Sequence, residues 1–345
     1  MSILTDTTLQ KIQNAIETKN GYLRELVDLY AHDTWDTVAA NVKAGKAPIL
    51  YQIGDEMICN YKIGNTVYQF PWVVVDNNRT VVWNDGTEHP GLILQAKFAT
   101  VEAIQFDAAE STNVDSATEP TAVDGWFYWG VTGDTYTALN LSAGDTIPFA
   151  SYTSVKKCGI DNVSALRYGY NRYRDSAIRQ WLNSDEEKGD WWTSTHLGDI
   201  APAELNSYDG FLRGLDSDFL AVINPVKVQV ATNTVTDGGV TDTMYDKFWL
   251  PSVEEMYGSP QAAGVEGAYF PYWKTKTGLN SPSNSANAGR IINGLDAQTT
   301  ARYCRLRSAN RGGAASAWIV NTSGECNYYY SAFSSIRSEP ACAIS

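Results

Sequence analysis

Histidines and cysteines are the side chains of this chain that could hold a metal or carry a reaction. The histidines, His32, His89 and His196, lie far apart and lack the HxxxH spacing that places two ligands on one helical face. The cysteines form an odd set without CxxC spacing, which predicts neither a zinc site nor a disulfide framework. They are Cys59, Cys158, Cys304, Cys326 and Cys342. We therefore expect reduced thiols, no metal and no cofactor.

Paired acidic residues are the remaining candidates for chemistry. Asp216 with Asp218 and Glu254 with Glu255 could in principle supply a general acid and a general base. Such close spacing is more typical of solvated surface or turn residues. The sequence therefore predicts no catalytic residue.

Composition and charge narrow the class of partner. The formal net charge of -13 argues against binding a phosphate backbone, which requires clustered Lys and Arg. Aromatic residues make up 12%, including 11 Trp and 20 Tyr, which favours an interaction surface, although many Trp could instead fill the core. The 345 residues suffice for about two domains.

The first twenty residues contain no basic stretch followed by an apolar run. No window reaches the roughly 18 apolar residues that span a bilayer. We therefore expect no signal peptide, no transmembrane segment and no membrane insertion.

Residues 1–46 are predicted to form a helical attachment or oligomerisation segment. Apolar residues recur at three- and four-residue steps through 5–30, with a break at Asn20-Gly21. A second helix is expected to begin at a Thr34 cap and to end near Gly45. Its apolar face carries Trp35, Val38, Ala39 and Val42. This face could dock on the main domain or on identical arms of sister subunits, and we favour oligomerisation.

The period changes to two after about residue 49. Val67–Val75 and Thr80–Trp83 are predicted to form a hairpin joined by a turn at 76–78. Residues 111–160 are predicted to be a β-rich insertion, with turns at Gly133-Asp134 and Gly144-Asp145. A helix over Asp175–Asn183 and a strand over Val226–Val230 should follow, within a turn-rich remainder.

The stretch 313–336 mixes Gly, Ala, Ser, Ile, Tyr and Phe in neither helical nor alternating order. Three consecutive tyrosines, Tyr328, Tyr329 and Tyr330, stand beside Ser331 and Phe333. Antibody loops have this composition, because Tyr supplies rigid contact area while Ser and Gly supply adaptability. The alternative is a Tyr-rich strand packed on both faces.

A family resemblance extends over these residues. RYCRLRSANRGGAASAWIVNTSGECNYYY (302–330), with PACAI at 340–344, resembles the variable-region ends of proteins diversified by phage and bacterial diversity-generating retroelements. Those proteins are similar in fold to C-type lectins. The resemblance continues upstream through RYGYNRYRDSAIRQWLNSD (167–185) and GFLRGLDSDFLAVINPVKV (210–228), and it covers roughly residues 47–345.

The resemblance implies which positions vary. An error-prone reverse transcriptase rewrites template adenines, so Asn codons become codons ending in a pyrimidine; these encode Gly, Ala, Ser, Ile, Tyr and Phe but not Lys, Gln, Glu, Met or Trp. Residues that are replaced wholesale should be exposed on a fixed support. The predicted ligand-binding positions are Gly313, Ala315, Ser316, Ile319, Tyr328, Tyr329, Tyr330, Ser331, Phe333, Ser334 and Ile336.

The residues between these positions should form the support. Trp318 is expected to have a buried ring and a paired indole N–H. Asn310 and Asn321 are expected to brace loops through side-chain to backbone hydrogen bonds, and Arg307 and Arg311 could do the same.

Enzymes and sugar-binding lectins are rival interpretations. The lectin-like fold also resembles formylglycine-generating enzymes and iron-dependent sulfoxide synthases, but the residues those chemistries need are missing. Trp83-Asn84-Asp85 resembles a tripeptide of lectin calcium sites, yet it lies too early, and Glu339-Pro340 is followed by Ala341. We expect residues 83–85 to be a strand end and turn.

The sequence thus predicts an α+β protein of C-type-lectin-like fold over 47–345, with variable region 302–344. We expect a non-enzymatic phage adhesin on a virion tail tip or fibre that binds a bacterial surface receptor, protein or glycan, and contacts phage structural proteins. Nucleic acid is not expected as a partner, and homo-oligomerisation stays open. The alternative is a structural phage decoration or tail subunit with a fixed Tyr-rich interface.

Overall fold

The computed structural model describes residues 34–276, 287–328 and 330–345. The helices predicted within 5–30 lie outside the described residues, as does Tyr329. Over the described ranges the protein is mixed α+β, with more strand than helix. The predicted α+β class is therefore confirmed.

Helix α1 (Trp35–Lys43) begins at the predicted cap, where the Thr34 side chain accepts a hydrogen bond from the Thr37 backbone N–H. Val38 and Val42 are buried in the main core. The Trp35 ring lies 4.4 Å from that of Phe219. Helix α1 thus docks on this chain's own core.

The helices after α1 in the described ranges are short. They are α2 (Ala47–Leu50), α3 (Val163–Tyr168), α4 (Ala177–Leu182), α5 (Ser217–Ala221), α6 (Val253–Tyr257) and α7 (Pro271–Lys274), with 3-10 turns at Phe149–Ser151, Tyr173–Asp175, Phe211–Gly214 and Ala288–Arg290. Helix α4 confirms the helix predicted over Asp175–Asn183. It begins two residues later because Ser176 caps it, accepting from the Arg179 N–H.

The main sheet contains five antiparallel strands. Their order is β1 (Glu56–Ile63), β2 (Thr66–Val82), β3 (Glu88–Ala96), β18 (Ala341–Ile344) and β11 (Phe248–Trp249). The C-terminal strand β18 is fully buried between β3 and β11. Side chains from this sheet, α1, α4 and α6 form the main hydrophobic core.

The predicted hairpin turn at residues 76–78 is wrong. Strand β2 continues through this position as a bulge, with register shifts against β3 at Asp76 and Arg79. Asp76 accepts from the Asn78 backbone N–H at 3.0 Å and from Arg79 Nε at 2.9 Å, so these polar residues stabilise the bulge. The chain reverses after β2, where the Gly86 N–H donates to the Trp83 carbonyl. The strand end and turn predicted at residues 83–85 are therefore confirmed.

Residues 112–158 form a separate sheet. Its strand order is β5 (Thr112–Asn113), β8 (Ser154–Cys158), β6 (Phe127–Thr132) and β7 (Thr135–Ala138). The predicted turn at Gly133-Asp134 joins β6 to β7. This sheet has its own small core around Tyr128, Ile147 and Val155.

A third sheet carries the C-terminal segment. Its order is β16 (Cys326–Asn327), β15 (Ala317–Val320), β14 (Cys304–Ala309), β17 (Ser335–Ser338) and β4 (Ala103–Gln105), with β14 and β17 parallel. Two hairpins complete the strands of the described ranges: β9 (Val226–Ala231) with β10 (Thr241–Asp246), and β12 (Asn293–Gly294) with β13 (Ala297–Ala301). Strand β9 confirms the strand predicted there.

All five cysteines are buried free thiols, as predicted. Burial raises the pKa of Cys59 and of Cys158 to about 12, so both stay protonated at neutral pH. None of the helices within the described ranges has the length and apolar character needed to cross a bilayer.

Candidate binding surface

Two loops at the ends of the third sheet lie side by side. The first, residues 310–316, joins β14 to β15, and the second, residues 328–334, joins β16 to β17. Ser316 and Ser331 form a β-bridge, and the Ala332 N–H donates to the Ala315 carbonyl at 2.7 Å. The structure therefore brings most of the predicted ligand-binding positions into one region, which we call the display surface.

Asn171 holds the first loop. Its side chain is fully buried, and Nδ2 lies 2.7 Å from the Gly313 carbonyl, 2.8 Å from that of Ser316 and 3.2 Å from that of Asn310. Its Oδ1 accepts from Asn233 Nδ2, which fixes the orientation of the amide. All three contacts on the loop are backbone oxygens, so they do not depend on the side chains at 313 and 316.

Arg305 holds the second loop in the same manner. This fully buried guanidinium donates to the carbonyls of Ala317, Tyr330, Ser331 and Ser334 at 2.9–3.2 Å. Burial lowers the pKa of Arg305 to about 9, so the group is still charged at neutral pH. Hydrogen bonds from a charged donor are stronger than neutral ones.

The two predicted supporting asparagines brace loops as expected. Asn310 Oδ1 accepts from the Gly312 N–H at 3.2 Å. Asn321 Oδ1 accepts from the N–H groups of Ser323 and Glu325 at 2.9 and 3.0 Å. Both are local side-chain to backbone contacts, the kind that short sequence patterns predict.

The two predicted supporting arginines differ in position. Arg311, half-buried at the edge of the first loop, donates to the Thr232 carbonyl at 3.1 Å. Arg307 is fully buried, forms an ion pair of 2.5 Å with Glu255 and donates to the carbonyls of Leu250 and Glu266. Arg307 thus joins β14 to α6, and its side-chain hydrogen bonds within the described residues go to partners outside the display loops.

Glu255 was expected to be a solvated residue, and the structure corrects this. It is buried because it caps α6, accepting from the Ser252 N–H at 3.0 Å, and because it neutralises Arg307. Asp218, by contrast, is exposed as predicted.

Trp318 meets only half of its expectation. The ring is buried at 8% exposure, but the indole N–H has no hydrogen-bond partner among the described residues. The exposed Tyr328 ring packs edge-on against it at 4.9 Å. Trp318 therefore supports the surface by ring contact.

The aromatic side chains of the display surface that the structure describes each rest on another ring. Tyr328 and Phe333 are 39% and 40% exposed. Phe333 lies 6.0 Å from Tyr168, and Tyr330 lies 5.1 Å from the exposed Tyr303. A side-chain hydrogen bond with Tyr303 raises the pKa of Tyr330, so this phenol is neutral at physiological pH. These rings supply apolar area, and the tyrosines add hydroxyl groups, as binding anchors do.

Three predicted ligand-binding positions are not exposed. Ala315 on the first loop, Ile319 on β15 and Ile336 on β17 have 6%, 0% and 5% exposure. The exposure expected of them is wrong. Gly313, Ser316, Ser331 and Ser334 are half-exposed, and Tyr329 lies outside the described residues.

Sequence reasoning missed the two buried side chains that hold the loops. Asn171 stands in the RYGYN motif, and Arg305 stands two residues before the predicted support Arg307. The motif was a signal for Asn171, but its contact with residue 313 is separated by 142 positions. Alternation along β14 gave no signal for Arg305, because all six residues of that strand are buried.

One group of side chains in the described residues is spaced for a metal ion. Glu110, His196 and Asp199 place one ligand atom each within 4.8 Å of the others. We expected no metal-binding partner for His196 because of the spacing of histidines along the sequence. That spacing cannot reveal a cluster in which Glu110 comes from a distant segment.

Comparison with known families gives one match. The model described as "Domain of unknown function (DUF6273)" matches residues 153–345, more than half of the chain, so the chain belongs to this family. The matched region contains both display loops, Asn171 and Arg305. No curated protein and no solved structure matches the chain.

Proposed function

We propose that this protein is a hypervariable binding protein, diversified by a retroelement, that presents the display surface to a bacterial surface receptor, protein or glycan. It serves as a phage adhesin on a virion tail tip or fibre, attached through phage structural proteins, on a C-type-lectin-like scaffold. The mixed α+β composition and the many short strands joined by irregular connections support that scaffold. The binder requires no catalytic residue.

One observation carries this proposal. Asn171 and Arg305 hold the two display loops through six backbone carbonyls of those loops. Five of the six belong to predicted variable positions, which are Gly313, Ser316, Tyr330, Ser331 and Ser334. Every residue type has the same carbonyl, so loops anchored in this way keep their path when side chains change. A diversified surface needs this property.

Sequencing the encoding locus tests diversification. We expect a near-copy of the coding segment for residues 302–344 beside a reverse transcriptase gene, differing from it only at template adenines. Sibling genomes should then differ at the exposed display positions. A locus without such a template, and siblings with an unchanged Tyr triplet, would overturn diversification and favour the structural subunit with a fixed interface.

A separate experiment tests binding. The purified chain is coupled to beads, because several copies gain strength by avidity, and bound to a panel of intact bacterial strains and an immobilised glycan array. The double variant Tyr328→Ala, Phe333→Ala should lose any binding found, with little change in Tm. The matched control is Phe127→Ala, Tyr245→Ala, whose rings are both 38% exposed elsewhere. Binding that survives in the first variant, or disappears equally in both, would contradict the display surface.

A further inference from the structure

Three side chains from two distant parts of the chain converge beside the display surface. Glu110 lies in the loop between β4 and β5, while His196 and Asp199 belong to the segment after α4. His196 Nε2 lies 3.1 Å from Glu110 Oε1. The side chains of Glu110 and Asp199 are 0% exposed, and that of His196 is 18% exposed. These are an imidazole and two carboxylates, all of them common metal ligands.

Several atoms of this cluster have no hydrogen-bond partner. They are both carboxylate oxygens of Glu110, Nε2 of His196 and Oδ1 of Asp199. The 3.1 Å approach of His196 Nε2 to Glu110 Oε1 is not a hydrogen bond in this structure. Buried polar atoms without partners cost about 1–3 kcal/mol each, and four at one place require an explanation.

A further buried carboxyl, that of Asp107, lies against Glu110. A hydrogen bond between the two carboxyls requires a proton on one of them.

Thr195 holds two of the three ligands in position. Its backbone N–H and its Oγ1 donate to Asp199 Oδ2 at 2.7 and 3.0 Å, so the other oxygen, Oδ1, is left for a metal ion. The same Oγ1 lies 3.1 Å from His196 Nδ1, which leaves Nε2 facing Glu110. Metal-binding histidines and carboxylates characteristically have such an outer partner on the second atom.

We propose that Glu110, His196 and Asp199 bind one divalent transition-metal ion, with Zn²⁺ the best match to this ligand set. Tetrahedral ligands at about 2.0–2.2 Å from zinc are about 3.3 Å apart. The ligand atoms of the cluster lie within 4.8 Å of one another, so binding requires them to approach by roughly a further 1–2 Å at most. Calcium fits poorly, since it takes six to eight oxygens.

The site is connected to the display surface through the backbone. The N–H groups of Phe106 and Asp107 donate to the Ala332 carbonyl at 3.0 and 3.1 Å, and Asp107 Oδ2 accepts from the Tyr170 N–H at 2.8 Å. An ion at Glu110 ties this segment to residues 195–199. It stabilises the base of the second display loop without contacting a receptor.

Calorimetric titration of the chelator-treated full-length chain with ZnCl₂ tests the proposal. We expect one Zn²⁺ per chain and a Tm that rises with Zn²⁺, because an ion that binds only the folded state stabilises it. His196→Ala should abolish both effects, whereas the matched control His89→Ala should retain them. Thr195→Val should weaken binding by about 10–100-fold.

Asp199→Asn provides a second test that keeps side-chain volume, should His196→Ala fail to fold. It should also abolish the Zn²⁺-dependent rise in Tm. A wild-type chain that takes up no Zn²⁺, or a His196→Ala chain that binds it with unchanged affinity, would mean that His196 and Glu110 form only an ion pair and would overturn the site. The titration involves no receptor, so its outcome is independent of the proposed binding function.

Discussion

The side-chain amide of Asn171 donates a 2.7 Å hydrogen bond to the backbone carbonyl of Gly313. The same nitrogen faces two further carbonyls of the first display loop. An amide group has two hydrogens, so three acceptors share them. A single buried side chain thus holds the loop through backbone atoms that every residue type has.

Replacing this amide should destabilise the protein. In Asn171→Leu the side chain keeps a similar volume, but three loop carbonyls lose their donor and Asn233 Nδ2 loses an acceptor. We therefore expect a loss of about 2–4 kcal/mol in the free energy of unfolding. Urea denaturation measures it. Asn113→Leu, at an exposed position, is the control and should change stability by less than about 0.5 kcal/mol. Equal effects in the two variants would contradict the anchoring role.

Arg305 should control the order of the second loop. Arg305→Met removes donors from four carbonyls, and we expect faster hydrogen exchange at the amides of Ala332 and Phe333, which are bonded to Ala315 and Tyr168. Exchange measured by mass spectrometry on peptides from 330–336 reports this. Arg302→Met, which removes only a half-exposed ion pair with Asp296, should leave exchange there unchanged. Unchanged protection in Arg305→Met would refute the prediction.

Burial separates positions that tolerate replacement from those that do not. Ile319→Ser leaves a cavity and buries a hydroxyl at a position of 0% exposure, so we expect a loss of about 3–5 kcal/mol. The reverse exchange, Ser334→Ile, lies on the half-exposed loop and should change stability by less than about 1 kcal/mol. Thermal or urea unfolding compares the two. Similar losses in both would show that exposure does not decide tolerance here.

Glu102 should make stability depend on pH. Burial raises its pKa from 4.5 to about 7, although a hydrogen bond from Tyr61 acts in the opposite direction. The folded state therefore holds this proton more tightly than the unfolded chain. Its contribution to stability is fully present below pH 4.5 and is lost as pH rises through about 7.

Glu102→Gln keeps an acceptor for the Tyr61 hydroxyl and removes the titration. The difference in free energy of unfolding, wild type minus variant, should fall by up to about 3 kcal/mol between pH 4.5 and pH 8. Urea denaturation across this range measures it, with exposed Glu88→Gln as the control. A pH-independent difference would show that folding does not raise the pKa of Glu102.

Local sequence patterns predicted the features that depend on neighbouring residues. The Thr34 cap, helix α4, the turns at 83–85 and 133–134, and the brace at Asn321 all depend on contacts a few positions apart. The Asp76–Asn78 segment was the exception. This segment forms a bulge in spite of its turn composition, because β2 pairs with β3 on both sides of it, from Trp72 to Val82, and this pairing outweighs local preference.

By itself, then, the sequence determined the α+β class, the reduced state of the thiols and the segment whose composition suits a binding surface. Only the tertiary structure decided that Asn171 and Arg305 anchor that segment, that Ile319 is buried, and that Glu110 meets His196. The physical reason is the range of the interactions. Caps and turns are set by neighbours in sequence, whereas burial and convergence of distant polar groups follow from how the sheets pack.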